Sequence, residues 1–104
     1  MAQPKIEIPI DKIEDFCRRW KIKEFSLFGS VLREDFGADS DVDVLVGFSE
    51  DAHWSLFKLV EMIEELQKIF GRKVDLVEKA AVEKSRHRHR RRHILDNHRV
   101  IYAA

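Results

Sequence analysis

The spacing of Gly29-Ser30 ahead of Asp41-Val42-Asp43 constrains this chain more than any other feature. The dipeptide ends the apolar stretch Phe25-Ser26-Leu27-Phe28, and ten residues separate it from an Asp-x-Asp pair heading the apolar run Val44-Leu45-Val46. Successive side chains of a strand point to opposite faces. Asp41 and Asp43 are therefore expected on one face, with Val42 and Val44 on the other. Two like charges about 4 Å apart repel by roughly 4 kcal/mol at an effective dielectric near 20, a cost that a cation between them removes. Carboxylate oxygens are hard ligands of the kind Mg²⁺ takes, commonly one or two of them together with substrate phosphates. A Gly at the turn lets backbone approach a phosphate closely. A helical turn over Ser30 to Arg33 would add free N–H groups and a positive dipole end.

A third acid extends the pattern. Lys73-Val74-Asp75-Leu76-Val77 is a short β-rich run with one carboxylate at its centre. If this strand pairs beside that of Asp41, Asp75 completes a three-acid cluster. The chief competing reading is a calcium loop, since Asp39, Asp41, Asp43 and Glu50 occupy positions one, three, five and twelve of the EF-hand pattern. Position six decides against it: the sharp turn there requires Gly, and this chain has Val44 in a continuing strand.

The remaining elements follow from periodicity. Ile10, Ile13, Phe16, Cys17 and Trp20 recur at helical spacing after Pro9, with Asp11 as the expected N-cap. A strand is expected from Lys23 to Phe28, a loop over residues 36–40, and a second strand from Asp41 to Phe48. Ser55 caps a long amphipathic helix carrying Leu56, Leu59, Val60, Ile63, Leu66 and Phe70, which Gly71 stops. The third strand spans Lys73 to Val77. A polar helix is expected over about residues 80–96, and a last extended piece over Arg99 to Tyr102. Trp20, Trp54 and Tyr102 read as packing aromatics, and Phe48 to Trp54 as a candidate loop near a bound nucleotide.

With 104 residues the chain has room for one domain, with the motif core at about residues 25–78, and none for a second substrate-holding domain. The single Cys17 excludes an internal disulfide and, on an apolar helical face, reads as a packed thiol. Met1 to Pro9 lacks an apolar core for a signal peptide, and no window matches a membrane span, so a cytoplasmic protein is expected. Formal net charge is zero, yet from residue 81 onward seven basic residues face only Glu83 and Asp96. An acidic body thus carries a basic tail. The run Arg86-His87-Arg88-His89-Arg90-Arg91-Arg92-His93 disfavours a metal, because guanidinium groups flank every imidazole. A basic helix that docks on an acidic partner or simply faces solvent is preferred for it over nucleic-acid binding.

Gly29-Ser30, the ten-residue gap and Asp41-Val42-Asp43, with Arg33 and Asp35 between, resemble the signature of the nucleotidyltransferase superfamily related to DNA polymerase β. The short chain is most similar to its minimal nucleotidyltransferase (MNT) branch. The resemblance implies an α/β (α+β) fold with a small mixed, mainly antiparallel sheet packed against helices. It implies transfer of a nucleoside monophosphate, here AMP from ATP, with Mg²⁺ held by Asp41, Asp43 and Asp75. Asp75 is further expected to accept the proton of the attacking hydroxyl. Gly29, Ser30, Arg33 and Ser40 are the implied nucleotide-binding residues. For stand-alone minimal members it implies an antitoxin that adenylylates a HEPN-type ribonuclease toxin on a Tyr hydroxyl. Two alternatives stand beside this: a binding module that neutralises its partner by occlusion, and an enzyme acting on RNA ends or a small molecule.

Overall fold

The computed structural model describes residues 8–29, 37, 40–84, 92, 94 and 98–104. Helix α1 (Ile10–Arg19) leads into β1 (Ile22–Phe28), followed by β2 (Val42–Phe48), α2 (Leu56–Phe70), β3 (Val74–Glu78), the short α3 (Lys79–Glu83) and β4 (His98–Ala103). One four-stranded sheet has the order β3-β2-β1-β4. β1 pairs antiparallel with both β2 and β4, whereas β2 and β3 are parallel. The mixed, mainly antiparallel sheet expected from the resemblance is thus present.

The parallel pair exists because α2 intervenes. Parallel strands need a crossover connection, and α2 supplies it across the face where Val42, Val44 and Val46 point. Ser55 begins this helix by accepting a hydrogen bond from the Lys58 amide at 3.3 Å. Gly71 ends it in the left-handed conformation (φ 68°), its amide donating to the Gln67 carbonyl at 2.8 Å. Both signals are local and both match the sequence expectation.

On that face α1 and α2 cover a core of Ile13, Phe16, Cys17, Phe25, Leu27, Val42, Val44, Val46, Met62 and Leu66. Phe16 meets Phe25 edge-on, ring centroids 6.3 Å apart. Burial pushes the Cys17 thiol up to about 12, with the Glu14 charge adding to the effect. Cys17 is a packed thiol. The opposite face carries a smaller cluster of Phe28, Leu45, Val82 and Ile94. There α3 lies over the sheet, and Lys79 Nζ at its start bonds Glu24 Oε2 of β1 at 2.7 Å.

Several boundaries differ from expectation. Pro9, not Asp11, occupies the N-cap of α1, and Asp11 falls in the first turn, where its charge suits the helix dipole. β2 starts at Val42, one residue after Asp41. Leu56 and Val60 do not pack: Leu56, Phe57 and Val60 are exposed at the start of α2, while Met62 and Leu66 carry its burial. The expected polar helix over 80–96 is interrupted, since α3 ends at Glu83 with Lys84 as its C-cap. Most of the Arg/His run lies outside the described residues. Among the described residues no helix is long and apolar enough to cross a membrane.

The tryptophans knit the helices together. Trp20 and Trp54 stack edge to face at 5.1 Å, and Trp54 Nε1 donates to the Trp20 carbonyl at 3.0 Å. Trp20 Nε1 donates to Glu65 Oε2 at 2.8 Å, while Arg19 pairs with the other carboxylate oxygen of Glu65. Burial pulls the Glu65 carboxyl upward, but the Arg19 and Trp20 hydrogen bonds outweigh it and hold it below its ordinary value. A lowered folded value means that this pair stabilises the protein above the ordinary glutamate pKa, about 4.3, and that the contribution is lost as pH falls through the lower folded value. Because Arg19 is half-exposed, the effect is small, at most about 1 kcal/mol. Glu65→Gln is therefore expected to flatten the stability loss below about pH 4, read as the urea midpoint against pH, while changing it by at most about 1 kcal/mol at pH 7.

Candidate active site

Asp43 is set by two ladders at once. In β1–β2 it lies opposite Phe28, and in β2–β3 it lies opposite Asp75. Paired residues project to the same face, so the carboxylates of Asp43 and Asp75 stand side by side on neighbouring strands. The strand pairing on which the three-acid cluster was conditional is present, and its register sets Asp75 beside Asp43. Asp43 is half-buried, and Asp75 and Asp41 are exposed. His98 of β4 lies opposite Phe28 on the far side of β1, so one row across the sheet reads His98, Phe28, Asp43, Asp75.

Gly29 closes this row. It follows β1 with φ 71°, a conformation that costs an L-residue roughly 1–2 kcal/mol. A Cβ placed there would lie 3.2 Å from Asp43 Cγ and closer still to Oδ2. The space a side chain would fill is taken by the Asp43 carboxylate. Gly29 is thus required twice over, by its backbone and by the acid beside it.

Ser40 is half-buried, and its hydroxyl accepts a hydrogen bond from the Gly37 amide at 3.0 Å. Its own amide donates to the Gly37 carbonyl at 3.1 Å. Val42 N–H donates to the Lys73 carbonyl at 2.9 Å, which joins the start of β2 to the approach of β3. Arg72, which no sequence signal singled out, reaches this segment: its Nη1 donates to the Gly37 carbonyl at 2.8 Å and the Ser40 carbonyl at 3.3 Å. The expected nucleotide-binding residues Ser30 and Arg33 lie outside the described residues, as does the helical turn expected to carry them.

The 48–54 segment is not near the acids. Asp43 is at the start of β2 and Phe48 at its end, about 17 Å apart at the usual strand rise, and Trp54 packs on Trp20. The expectation of a nucleotide loop there is corrected: its aromatic serves the core.

Among the described residues no three of His, Cys, Asp and Glu form a ready-made metal cage. The donor set nonetheless suits a hard cation. Asp43 and Asp75 are adjacent carboxylates and Asp41 lies two residues before Asp43 in the chain; hard oxygen donors of this kind are what Mg²⁺ takes together with phosphate oxygens and water.

The nucleotidyltransferase domain family matches residues 10–101 of the chain. Protein adenylyltransferase MntA of Thermococcus cleftensis is 42% identical over 70 residues, covering 67% of this chain and 69% of the relative. A Methanocaldococcus jannaschii protein also named for adenylyltransferase activity is 41% identical over 64 residues, covering 62% of this chain and 64% of its own length. The chain therefore spans about two thirds of the length of these curated relatives. Among solved structures, a chain from the complex of a tri-AMPylated Shewanella oneidensis HEPN toxin with an MNT antitoxin superposes with TM-score 0.60 at 18% identity, covering 91% of this chain and 70% of that one.

The Gly29–Asp43 packing gives the site its most specific test. Gly29→Ala is expected to destabilise the chain by about 2 kcal/mol or more, from the left-handed backbone and the displaced carboxylate together. In the Asp43→Ala background the same change should cost distinctly less, because the crowded carboxylate is gone. A double-mutant cycle by urea unfolding reads that coupling.

Proposed function

The chain belongs to the nucleotidyltransferase domain family, and from that premise we propose that it transfers AMP from ATP to a hydroxyl of a partner protein, acting as the antitoxin of a HEPN-type toxin. The observation that carries the reading is the register of Asp43 against both Asp75 and Phe28–Gly29, which gathers two acids beside a glycine turn. The names of the relatives supply the acceptor class: two are called protein adenylyltransferases, and the solved complex contains an AMPylated HEPN toxin. A Tyr of such a toxin is the proposed acceptor.

In this proposal Asp41 and Asp43, with Asp75 beside them, hold Mg²⁺. When bound, the cation supplies Lewis-acid polarisation of the α-phosphate and charge neutralisation for the departing pyrophosphate. The chain's own residues do the rest. Gly29, lacking a side chain, lets the Asp43 carboxylate pack against the turn, and Ser30 and Arg33 bind the triphosphate oxygens. Ser40 shapes the approach to Asp41. Asp75, exposed at the mouth of the site, accepts the proton of the attacking hydroxyl. The hydroxyl oxygen bonds to the α-phosphorus, the bond from that phosphorus to the bridging oxygen of the β-phosphate breaks, and pyrophosphate carries the electron pair away. The added phosphate then brings charge and bulk to the toxin surface, which is how it would block the toxin.

Incubation with α-labelled ATP, Mg²⁺ and the HEPN partner is expected to place label on the partner. Asp41→Asn and Asp43→Asn should reduce labelling to background with folding intact. Asp75→Asn should slow transfer by about 10²- to 10⁴-fold. Folded Asp41→Asn and Asp43→Asn proteins that leave the partner unlabelled yet still protect toxin-expressing cells would show that occlusion, not transfer, is the activity. Label on RNA in place of protein would move the acceptor to nucleic acid.

A further inference from the structure

Arg72 follows the left-handed Gly71 that stops α2, and from there its guanidinium spans to the segment that delivers Asp41. Nη1 donates to the carbonyls of Gly37 and Ser40. Those two residues are tied to each other by the Ser40 amide and the Ser40 hydroxyl. The residue after Arg72, Lys73, takes the Val42 amide on its carbonyl. Asp41 is therefore gripped at both of its chain neighbours by two consecutive residues of the approach to β3: Ser40 through Arg72, and Val42 through Lys73. Two residues later the same strand presents Asp75.

We propose that Arg72 is a positioning residue for the acid site, fixing the backbone ahead of Asp41 so that Asp41 and Asp43 meet a divalent cation in one arrangement relative to Asp75. The proposal rests on the nucleotidyltransferase reading above. An Arg suits the task physically. Its guanidinium stays charged at any working pH, and one nitrogen can serve two carbonyl dipoles at once. Hydrogen bonds to a charged group are about twice as strong as neutral ones. Asp41 precedes the strand and so lacks the ladder that orders Asp43. Removing Arg72 takes away the two bonds that hold the Gly37 and Ser40 carbonyls, and more of the order in the backbone ahead of Asp41 would then have to be supplied on cation binding. Groups that orient metal ligands from behind typically change cation affinity by 10- to 100-fold when removed.

The test compares the parent chain with Arg72→Gln and Arg72→Lys. Cation affinity is measured by titration with Mn²⁺ alone, order by amide hydrogen exchange at Ser40 and Val42, and activity by the Mg²⁺ dependence of AMP transfer. Arg72→Gln is expected to keep its fold, exchange faster at both amides and bind Mn²⁺ at least about tenfold more weakly. Its transfer rate should recover at high Mg²⁺, and Arg72→Lys, which keeps the charge and a donor, should restore part of the affinity. Unchanged Mn²⁺ affinity in Arg72→Gln overturns the proposal, whether or not thermal stability drops. If Arg72→Gln fails to fold, Arg72→Lys carries the comparison: unaltered affinity and exchange overturn the proposal, and loss of both supports it. A parent chain that binds Mn²⁺ but transfers nothing refutes the enzymatic reading while leaving the Arg72 comparison decisive. A parent chain that binds no Mn²⁺ removes the acid site and, with it, the role of Arg72.

Discussion

Val42 enters a parallel ladder with its amide on the Lys73 carbonyl, and every later feature of the site depends on the register that this pairing sets. Side chains alternate with a period of two, so a slip of one residue would turn Asp43 into the apolar core and bring Val42 or Val44 out to the site. The pairing is protected against that slip from both sides. Val42, Val44, Val74 and Leu76 bury against α1 and α2 on one face. On the other, Leu45 and Val77 pack with Val82 and Ile94. Both faces of the strand pair are thus committed to apolar contacts except at its beginning, where Asp43 and Asp75 lie opposite one another.

That opening is where the proposed chemistry is placed. The sheet forces two carboxylates onto adjacent strands, and Gly29 allows one of them to pack against bare backbone. Two neighbouring carboxylates of this kind are a donor pair suited to a hard cation carrying phosphates. The Arg72 and Lys73 bonds tie the approach to β2 to the approach to β3. Asp41, Asp43 and Asp75 therefore respond to one mechanical unit, the turn that follows α2, which Gly71 alone can shape cheaply through its positive φ.

What was legible in the residues was whatever is encoded locally. The apolar run behind Asp43 marks a strand, Ser55 caps a helix, and Gly71 stops it, so these elements appear close to where their own chemistry puts them. The pairing of Asp75 with Asp43 was legible only as a condition, because register is a property of two strands and a crossover. Periodicity misassigned Leu56 and Val60, whose spacing fits an apolar stripe but which are exposed on the first turns of α2. It also missed the end of α3 at Lys84, which neither a glycine nor a proline marks, although Arg92 and Ile94 of the expected helix are helical. Arg72 was invisible for a different reason. A basic residue after a helix-stopping Gly reads as a solvated charge, and only the tertiary approach of two carbonyls gives it work.

The proposed function makes Asp41, Asp43 and Asp75 one cation and phosphate site beside Gly29. A crystal structure with Mn²⁺ and a non-hydrolysable ATP analogue tests it most directly, through the anomalous signal of the metal. A peak shared by the Asp43 and Asp75 carboxylates, with the triphosphate running past Gly29, is the predicted result. A nucleotide bound away from Gly29, or Mn²⁺ held by acids on other elements, would contradict it.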